Sequence, residues 1–445
     1  MAAPSLQDGI DRAGSPVRLL WKPNAPPFKV PVVAPEYTGW REEQAAWRNV
    51  AFSDLSHHMS DLFLDGPDST RLLKAVSAND FEHFAIGQAK QFVPVTQEGY
   101  IVTDGILLRT NPDKYILSGV PSAQNWVKYH GEKGGYDVSA SIDPDSAFRK
   151  SGSPVLFRYQ IQGQRALELT ERVFGGPLPK TKFFHSTEVN LRGRRFRALR
   201  HGMLGQPGYE FIGAWEDGAE VKDALLTAGK DLGLSLIGGL AYATNGIESG
   251  WIPTPTPGIY LLPELADYRR WLSLYSFEGQ KPLHGTFVSE DIRDYYVSPY
   301  ELGYGRSIAF NHGFIGRAAL EKSKAHVSRT KVTLVFDPDD VREAFGSDPD
   351  YVLSYARYRV ESRLKPVGAT FYSGYIHPQG TILGLALVEN AFAAPGTAVT
   401  VVWGEHPGPD SGIPLDADVG YRRLRATVQP APYNDFARTQ YRQNP

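Results

Sequence analysis

The chain has 445 residues, with 47 Lys plus Arg against 49 Asp plus Glu, and no cysteine. That length suggests about three domains, and the near-balanced charge gives no reason to expect nucleic acid or an anionic membrane as partner. The missing cysteine excludes a thiol nucleophile, a disulfide, Cys-ligated zinc and an iron–sulfur cluster. No apolar run approaches the roughly 20 residues that span a bilayer. Met1–Asn24 mixes Asp8 and Asp11 with Arg12 and Arg18 and lacks the apolar core of a signal peptide. The expectation is a soluble, cytoplasmic enzyme.

Residues 15–38 carry Pro16, Pro23, Pro26, Pro27, Pro31 and Pro35, which suits an extended arm over a folded body. Glu36–Asn49 reads as a helix, with Trp40, Ala46 and Trp47 at helical spacing. A strand follows at Leu62–Leu64, and Asp68 stands where it would cap a helix through Leu72, Leu73 and Val76. Strand-like runs then come at Gln91–Val95, Tyr100–Val102, Ile106–Leu108 and Tyr115–Leu117. A second α/β stretch begins near Val155. It holds a helix over Arg165–Phe174 stopped by Gly175-Gly176, a strand at Arg194–Arg200, the strand Gly208–Ile212 and a helix near Ala219–Leu232. From about Lys331 the pattern turns all-β: Lys331–Phe336 and Ala398–Trp403 are β-branched runs separated by Gly and Pro, as in a small barrel or sandwich.

Several residues stand out for their chemistry. Glu210 lies on a strand, where a carboxylate is a matched bidentate acceptor for paired N–H donors or simply a solvent-facing group. Trp251 is a stacking surface or a core residue. Gln160 and Gln162 lead into Gly163, and either is a ligand amide or a surface group. His57 and His58 are adjacent, so they diverge on a strand, and no H-x-x-x-H spacing occurs that would suit a metal. Asp104, before Gly105, is a turn former or an acid. Tyr242 carries a phenol of pKa near 10, close to that of a phenol leaving group, so it is matched to protonate a departing phenoxide.

Four phrases occur in order: Asp54-Leu55-Ser56-His57-His58-Met59 with Gly66-Pro67-Asp68; Gly208-Tyr209-Glu210-Phe211; Gly246-Ile247-Glu248-Ser249-Gly250; and Gly313-Phe314-Ile315-Gly316-Arg317-Ala318-Ala319-Leu320. Together they resemble the aminomethyltransferase (glycine-cleavage T-protein) superfamily of tetrahydrofolate-dependent one-carbon transfer enzymes. In the T-proteins the segment before Glu248 usually reads Ala-Arg-Asp-Thr-Leu-Arg. Here it is Ala241-Tyr242-Ala243-Thr244-Asn245-Gly246, with both arginines gone and Tyr242 in place of one. That departure, with Ser249-Gly250-Trp251-Ile252-Pro253, Val402-Trp403-Gly404-Glu405 and Ala431-Pro432-Tyr433, is similar to the aryl O-demethylase branch, whose members act on vanillate, syringate or dicamba-like arenes.

The resemblance implies an α+β fold, a three-domain ring with a β-rich C-terminal barrel. Residues 1–60 plus 150–250 would form the folate-binding domain, residues 61–149 plus 251–325 a second domain inserted into it, and residues 326–445 the third. It implies tetrahydrofolate as cofactor and a small methoxyaromatic acid as substrate, with no metal. Glu210 would read the pterin, with Trp251, Tyr209, Gln160 and Gln162 as further folate contacts; Gln162 suits the family's Gln-Gly pair better. Tyr242, His58, His57 and Asp104 would be catalytic. Two competing readings are demethylation of an aliphatic sulfonium or N-methyl donor, and a non-catalytic folate-binding protein.

Overall fold

Along Leu156–Gln162, Phe157, Tyr159 and Ile161 alternate with Arg158, Gln160 and Gln162, so one face of the strand enters an apolar core and the other presents three polar side chains. In the computed structural model, which describes residues 3–443 except Phe28, Val30 and Pro31, this strand sits near the centre of a six-stranded sheet. Ala51–Asp54 and Gly208–Ala214 flank it antiparallel; Ser235–Leu236 lies outside the former, and Arg194–Leu199 and Ser186–Leu191 outside the latter. The helices Ala166–Phe174 and Trp215–Gly229 cover the apolar face through Leu169, Val221 and Leu225. The first of these ends at Gly175 in the left-handed conformation, as expected.

A second, five-stranded antiparallel sheet runs in the order Ala89–Phe92, Gly105–Asn111, Lys114–Gly119, Ser60–Asp65, Ser139–Asp143. Its core joins Leu62, Leu72 and Trp126 to Tyr260, Tyr268 and Tyr296 from far along the chain. Leu6, Ile10, Val17 and Leu20 are buried in the same core, although the expected division put residues 1–60 with the first sheet. The reason is local: Ser5 and Asp8 form a capping box and Ser15 caps Pro16–Leu20, so this stretch makes two short helices that bring apolar faces to the second sheet. Part of the expected extended arm is therefore helical, and Pro31 lies outside the described residues.

The C-terminal strands close on themselves. Lys365–Ile376 pairs with Arg359–Ser362 on one side and Thr381–Glu389 on the other. Ala398–Trp403, Arg422–Pro430 and Arg329–Phe336 complete a six-stranded barrel. Closure leaves these strands no free edge. The helix Gly239–Glu248 seats on the barrel, with Thr244 and Ile247 against Gly374. Among the described residues no helix is long and apolar enough to cross a membrane.

Other expectations shift locally. The helix expected over Glu36–Asn49 shortens to Trp40–Gln44 and a single 3₁₀ turn, Ala46–Arg48. Asp68 occupies the N-cap position of Ser69–Val76 without capping it, because its carboxylate is committed to Arg71 and to the Asp137 amide. Of the run Gln91–Val95 only the first part belongs to a strand, Ala89–Phe92; Pro94 and Val95 make isolated bridges to Ser77 and Ile101.

Candidate active site

The polar face of Leu156–Gln162 forms one wall. Glu210 lies directly opposite Gln160 in the strand register. Gly208 allows the strands to approach here: it has φ of 145°, and a Cβ would run into the Ile161 carbonyl. The Arg158 guanidinium donates from Nη1 to Glu210 Oε1, and from Nη2 to Asp61 Oδ1 at 3.1 Å and Ser118 Oγ at 2.8 Å. Ser118 Oγ in turn donates to Asp61. All four side chains are buried, and Asp61 and Ser118 belong to the second sheet, so one cation ties two sheets and two carboxylates together. Such charges are tolerated away from water only when paired and hydrogen-bonded. Burial pushes the Asp61 carboxyl up from its ordinary range against the pull of Arg158.

Gln160 and Gln162 share this face and have opposite fates. Gln162 is bound at both ends, its Nε2 donating to the Gln206 carbonyl at 2.8 Å and its Oε1 accepting from the Leu204 amide at 2.8 Å. Gln160 is equally buried, yet neither Oε1 nor Nε2 has a partner. Loop 204–206 folds back over Gln162, the residue the sequence favoured, and leaves Gln160 open. His201, near Glu210, is half-buried with its Nδ1 buried and unpaired, and desolvation lowers its pKa.

The helix Gly239–Glu248 supplies the facing wall. The Tyr242 hydroxyl is buried without a partner, and its ring meets His58 edge-on with centroids 4.7 Å apart. His58 Nδ1 is likewise buried and unpaired, and burial, reinforced by Arg158, pushes the imidazole down to about 4, so it is neutral near pH 7. Burial and the Glu210 charge raise the Tyr242 pKa well above its ordinary value of 10. The expected pKa match to a phenol is therefore lost, and what remains is a protonated hydroxyl able to donate a hydrogen bond. Tyr372 and Tyr355 stack at 5.2 Å nearby, and the Tyr372 hydroxyl donates to the Ala243 carbonyl. A Cβ on Gly246 would stand 3.3 Å from the Tyr372 ring and 3.6 Å from that of Trp251, so glycine admits both aromatics close to the helix.

Asp104 forms a separate cluster. Its Oδ2 accepts from the Trp251 indole at 2.8 Å, from the Tyr304 hydroxyl at 2.6 Å and from Gln91, while Oδ1 is buried and unpaired. Burial raises the Asp104 pKa. Lys331 lies within its field, and burial lowers that ammonium to about 8. Asp104 and Trp251, 147 positions apart, are thus brought together. The register Ser60–Gly119–Gly105 sets Asp104 at the same end of the second sheet as Asp61 and Ser118.

Two expected residues stand apart. His57 Nδ1 is hydrogen-bonded to Ser146 Oγ at 2.8 Å and its ring packs edge-on against Trp215; the two histidines lie not on the expected strand but in the turn 56–58 between Ala51–Asp54 and Ser60–Asp65, and it is this turn that parts them. Tyr209 faces the opposite way from Glu210, into the apolar core beside Phe211. Sequence reasoning missed Arg158 and His201. Arg158 had a signal: a strand reading Phe-Arg-Tyr-Gln-Ile-Gln alternates perfectly, and in a buried strand the polar face must surround something polar.

Comparison with known proteins follows this geometry. Residues 29–254 match the family model described as GCVT N-terminal domain. The chain is 38% identical to the syringate O-demethylase of Sphingobium sp., over 99% of this chain and 98% of that protein. It is 26% identical to the sesamin methylene transferase of Sinomonas sp., over 90% of each. Its fold is that of the glycine cleavage system aminomethyltransferase T from Bartonella henselae, with a TM-score of 0.62 over 96% of both chains at 16% identity. A polar strand wall, an aromatic helix wall and a closing barrel on one such fold, with a full-length relative at that identity, place the chain in the aminomethyltransferase (GCVT) superfamily, on its aryl O-demethylase side.

Proposed function

We propose that the protein is a tetrahydrofolate-dependent O-demethylase that removes the methyl group of a small methoxyaromatic acid. The observation that carries the reading is the Tyr242 hydroxyl, a buried donor with no protein partner, standing against His58 with the Tyr372–Tyr355 pair nearby. A flat arene suits such walls, and an ether oxygen, which only accepts, matches a hydroxyl that only needs to donate.

The strand wall suits folate. Glu210 offers a carboxylate to the pterin N–H donors, Arg158 fixes that carboxylate's position, and Gln160 presents an unpaired acceptor and donor beside it. Trp251, held by Asp104, is the candidate stacking surface. Bound tetrahydrofolate supplies the N5 amine that takes the methyl group and leaves as 5-methyltetrahydrofolate, while the arene leaves as a phenol.

Tyr242 stabilises the negative charge that develops on the ether oxygen as the methyl departs. It does so as a donor in a closed, low-dielectric site, where a positioned hydrogen bond is worth more than in water. Since its pKa is raised, Tyr242 keeps its proton; the product oxygen takes one from solvent on release, and the N5 proton displaced by the methyl group would pass to solvent, so the exchange balances. Neutral His58 holds the Tyr242 ring edge-on and adds no charge. The same proposal groups residues 6–20 with the second unit, 326–445 as the barrel unit, and sets the protein in the cytoplasm.

The test mixes purified protein with tetrahydrofolate and vanillate, syringate, dicamba, dimethylsulfoniopropionate or dimethylglycine, and follows products by mass spectrometry. A phenol with 5-methyltetrahydrofolate, formed only when both partners are present, is the expected result. Product from an aliphatic donor alone overturns the arene, and folate binding with silence across the panel overturns the enzyme.

A further inference from the structure

Asn245 is 3% exposed, and neither its Nδ2 nor its Oδ1 has a hydrogen-bond partner. A buried amide left unpaired at both ends costs free energy that native proteins seldom forgo without a ligand or water to recover it. Packing does not account for the residue. On the same helix Thr244 and Ile247 make the contacts with the barrel at Gly374, and a buried position that only needed filling would carry an apolar side chain with no polar group to satisfy.

Asn245 stands three residues after Tyr242, so the two lie one turn apart on neighbouring positions of one helix surface. The other wholly unpaired buried amide of this site, Gln160, is on the strand wall beside Glu210 and goes with folate. Asn245, on the helix that carries Tyr242, is the open amide of the facing wall. An amide both donates and accepts; so does a phenolic hydroxyl, whereas an ether oxygen only accepts.

We infer that Asn245 is a specificity-determining residue that hydrogen-bonds a phenolic hydroxyl adjacent to the methoxyl group being cleaved. This rests on the arene assignment above. It makes the preferred substrates ortho-hydroxy methoxyarenes rather than plain or fully methylated ones.

The experiment compares vanillate (4-hydroxy-3-methoxybenzoate) with 3-methoxybenzoate and 3,4-dimethoxybenzoate, for the parent enzyme and for Asn245→Leu, at saturating tetrahydrofolate. Calorimetric affinity for 3,4-dihydroxybenzoate against 3-hydroxybenzoate is measured alongside. The parent should prefer the ortho-hydroxylated substrate by about 10²-fold in kcat/KM. In Asn245→Leu that ratio should fall to near one, in turnover and in binding, with the melting temperature held or raised and the KM for tetrahydrofolate unmoved. A preserved preference, an equal fall on all arenes, or a shift confined to the folate KM overturns the inference. Turnover of no methoxyarene by the parent overturns the proposed reaction instead. In that event a calorimetric preference for the diol that Asn245→Leu abolishes still upholds Asn245 as the reader, and equal binding overturns it.

Discussion

The strand wall and the helix wall treat buried polar groups in opposite ways. On the strand wall the charges are already paired within the protein: Arg158 serves Asp61, Glu210 and Ser118 at once, and so holds the Glu210 carboxylate in place before any ligand arrives. On the helix wall the groups are neutral and idle, with Tyr242, Asn245 and His58 Nδ1 all buried and unpaired. The difference follows from cost. An unpaired buried charge is penalised by several kcal/mol and must be matched within the protein, whereas an unpaired hydroxyl or amide costs about 1–3 kcal/mol, which a folded chain can carry. Charge thus builds the frame, and neutral dipoles are what is left to recognise the arene.

Mutations test that division. The largest effect should come from Tyr242→Phe, which removes only the idle hydroxyl: kcat falls by roughly 10²–10³, while the melting temperature holds because no protein hydrogen bond is lost. A comparable loss of stability with the loss of rate would place Tyr242 in the frame instead. Arg158→Met should behave in the reverse manner. Stranding Asp61 and Glu210 costs about 3–5 kcal/mol in urea unfolding, and adding Asp61→Asn should restore part of it. An unchanged unfolding midpoint would break the comparison.

The two glutamines sharpen it on a single strand. Gln162→Leu orphans the Leu204 amide and Gln206 carbonyl, so stability should drop by about 1–3 kcal/mol with folate affinity unchanged. Gln160→Leu should leave stability unchanged or improved and raise the KM for tetrahydrofolate by about 5–10-fold, the worth of one hydrogen bond. The smallest effect concerns pH. Since the folded His58 titrates near 4 instead of 6.5, the unfolded chain takes that proton first on acidification. Its contribution to stability is intact above pH 6.5 and is lost as pH falls towards 4. The difference in unfolding free energy between His58→Asn and the parent should be flat above 6.5 and move in favour of the variant below it. A flat difference down to pH 4 would put His58 in water.

Local pattern determined much of this protein. Alternation marked Arg194–Arg200 and Ala398–Trp403 as strands, Gly175-Gly176 stopped a helix, two of the four phrases led to Glu210 and His58, and the segment just before Glu248 led to Tyr242. These are short-range matters of period, turn chemistry and spacing, and the chain states them directly. The tertiary structure alone decided which polar residues were consumed and which remained. Gln160 and Gln162 have the same type, strand and face, and only a loop more than 40 residues away distinguishes them. Arg158 meets Asp61 and Ser118 from another sheet, and Trp251 meets Asp104 across 147 positions. A side chain's readiness to bind depends on whether the fold has already satisfied it, and that is a property of neighbours brought from elsewhere in the chain.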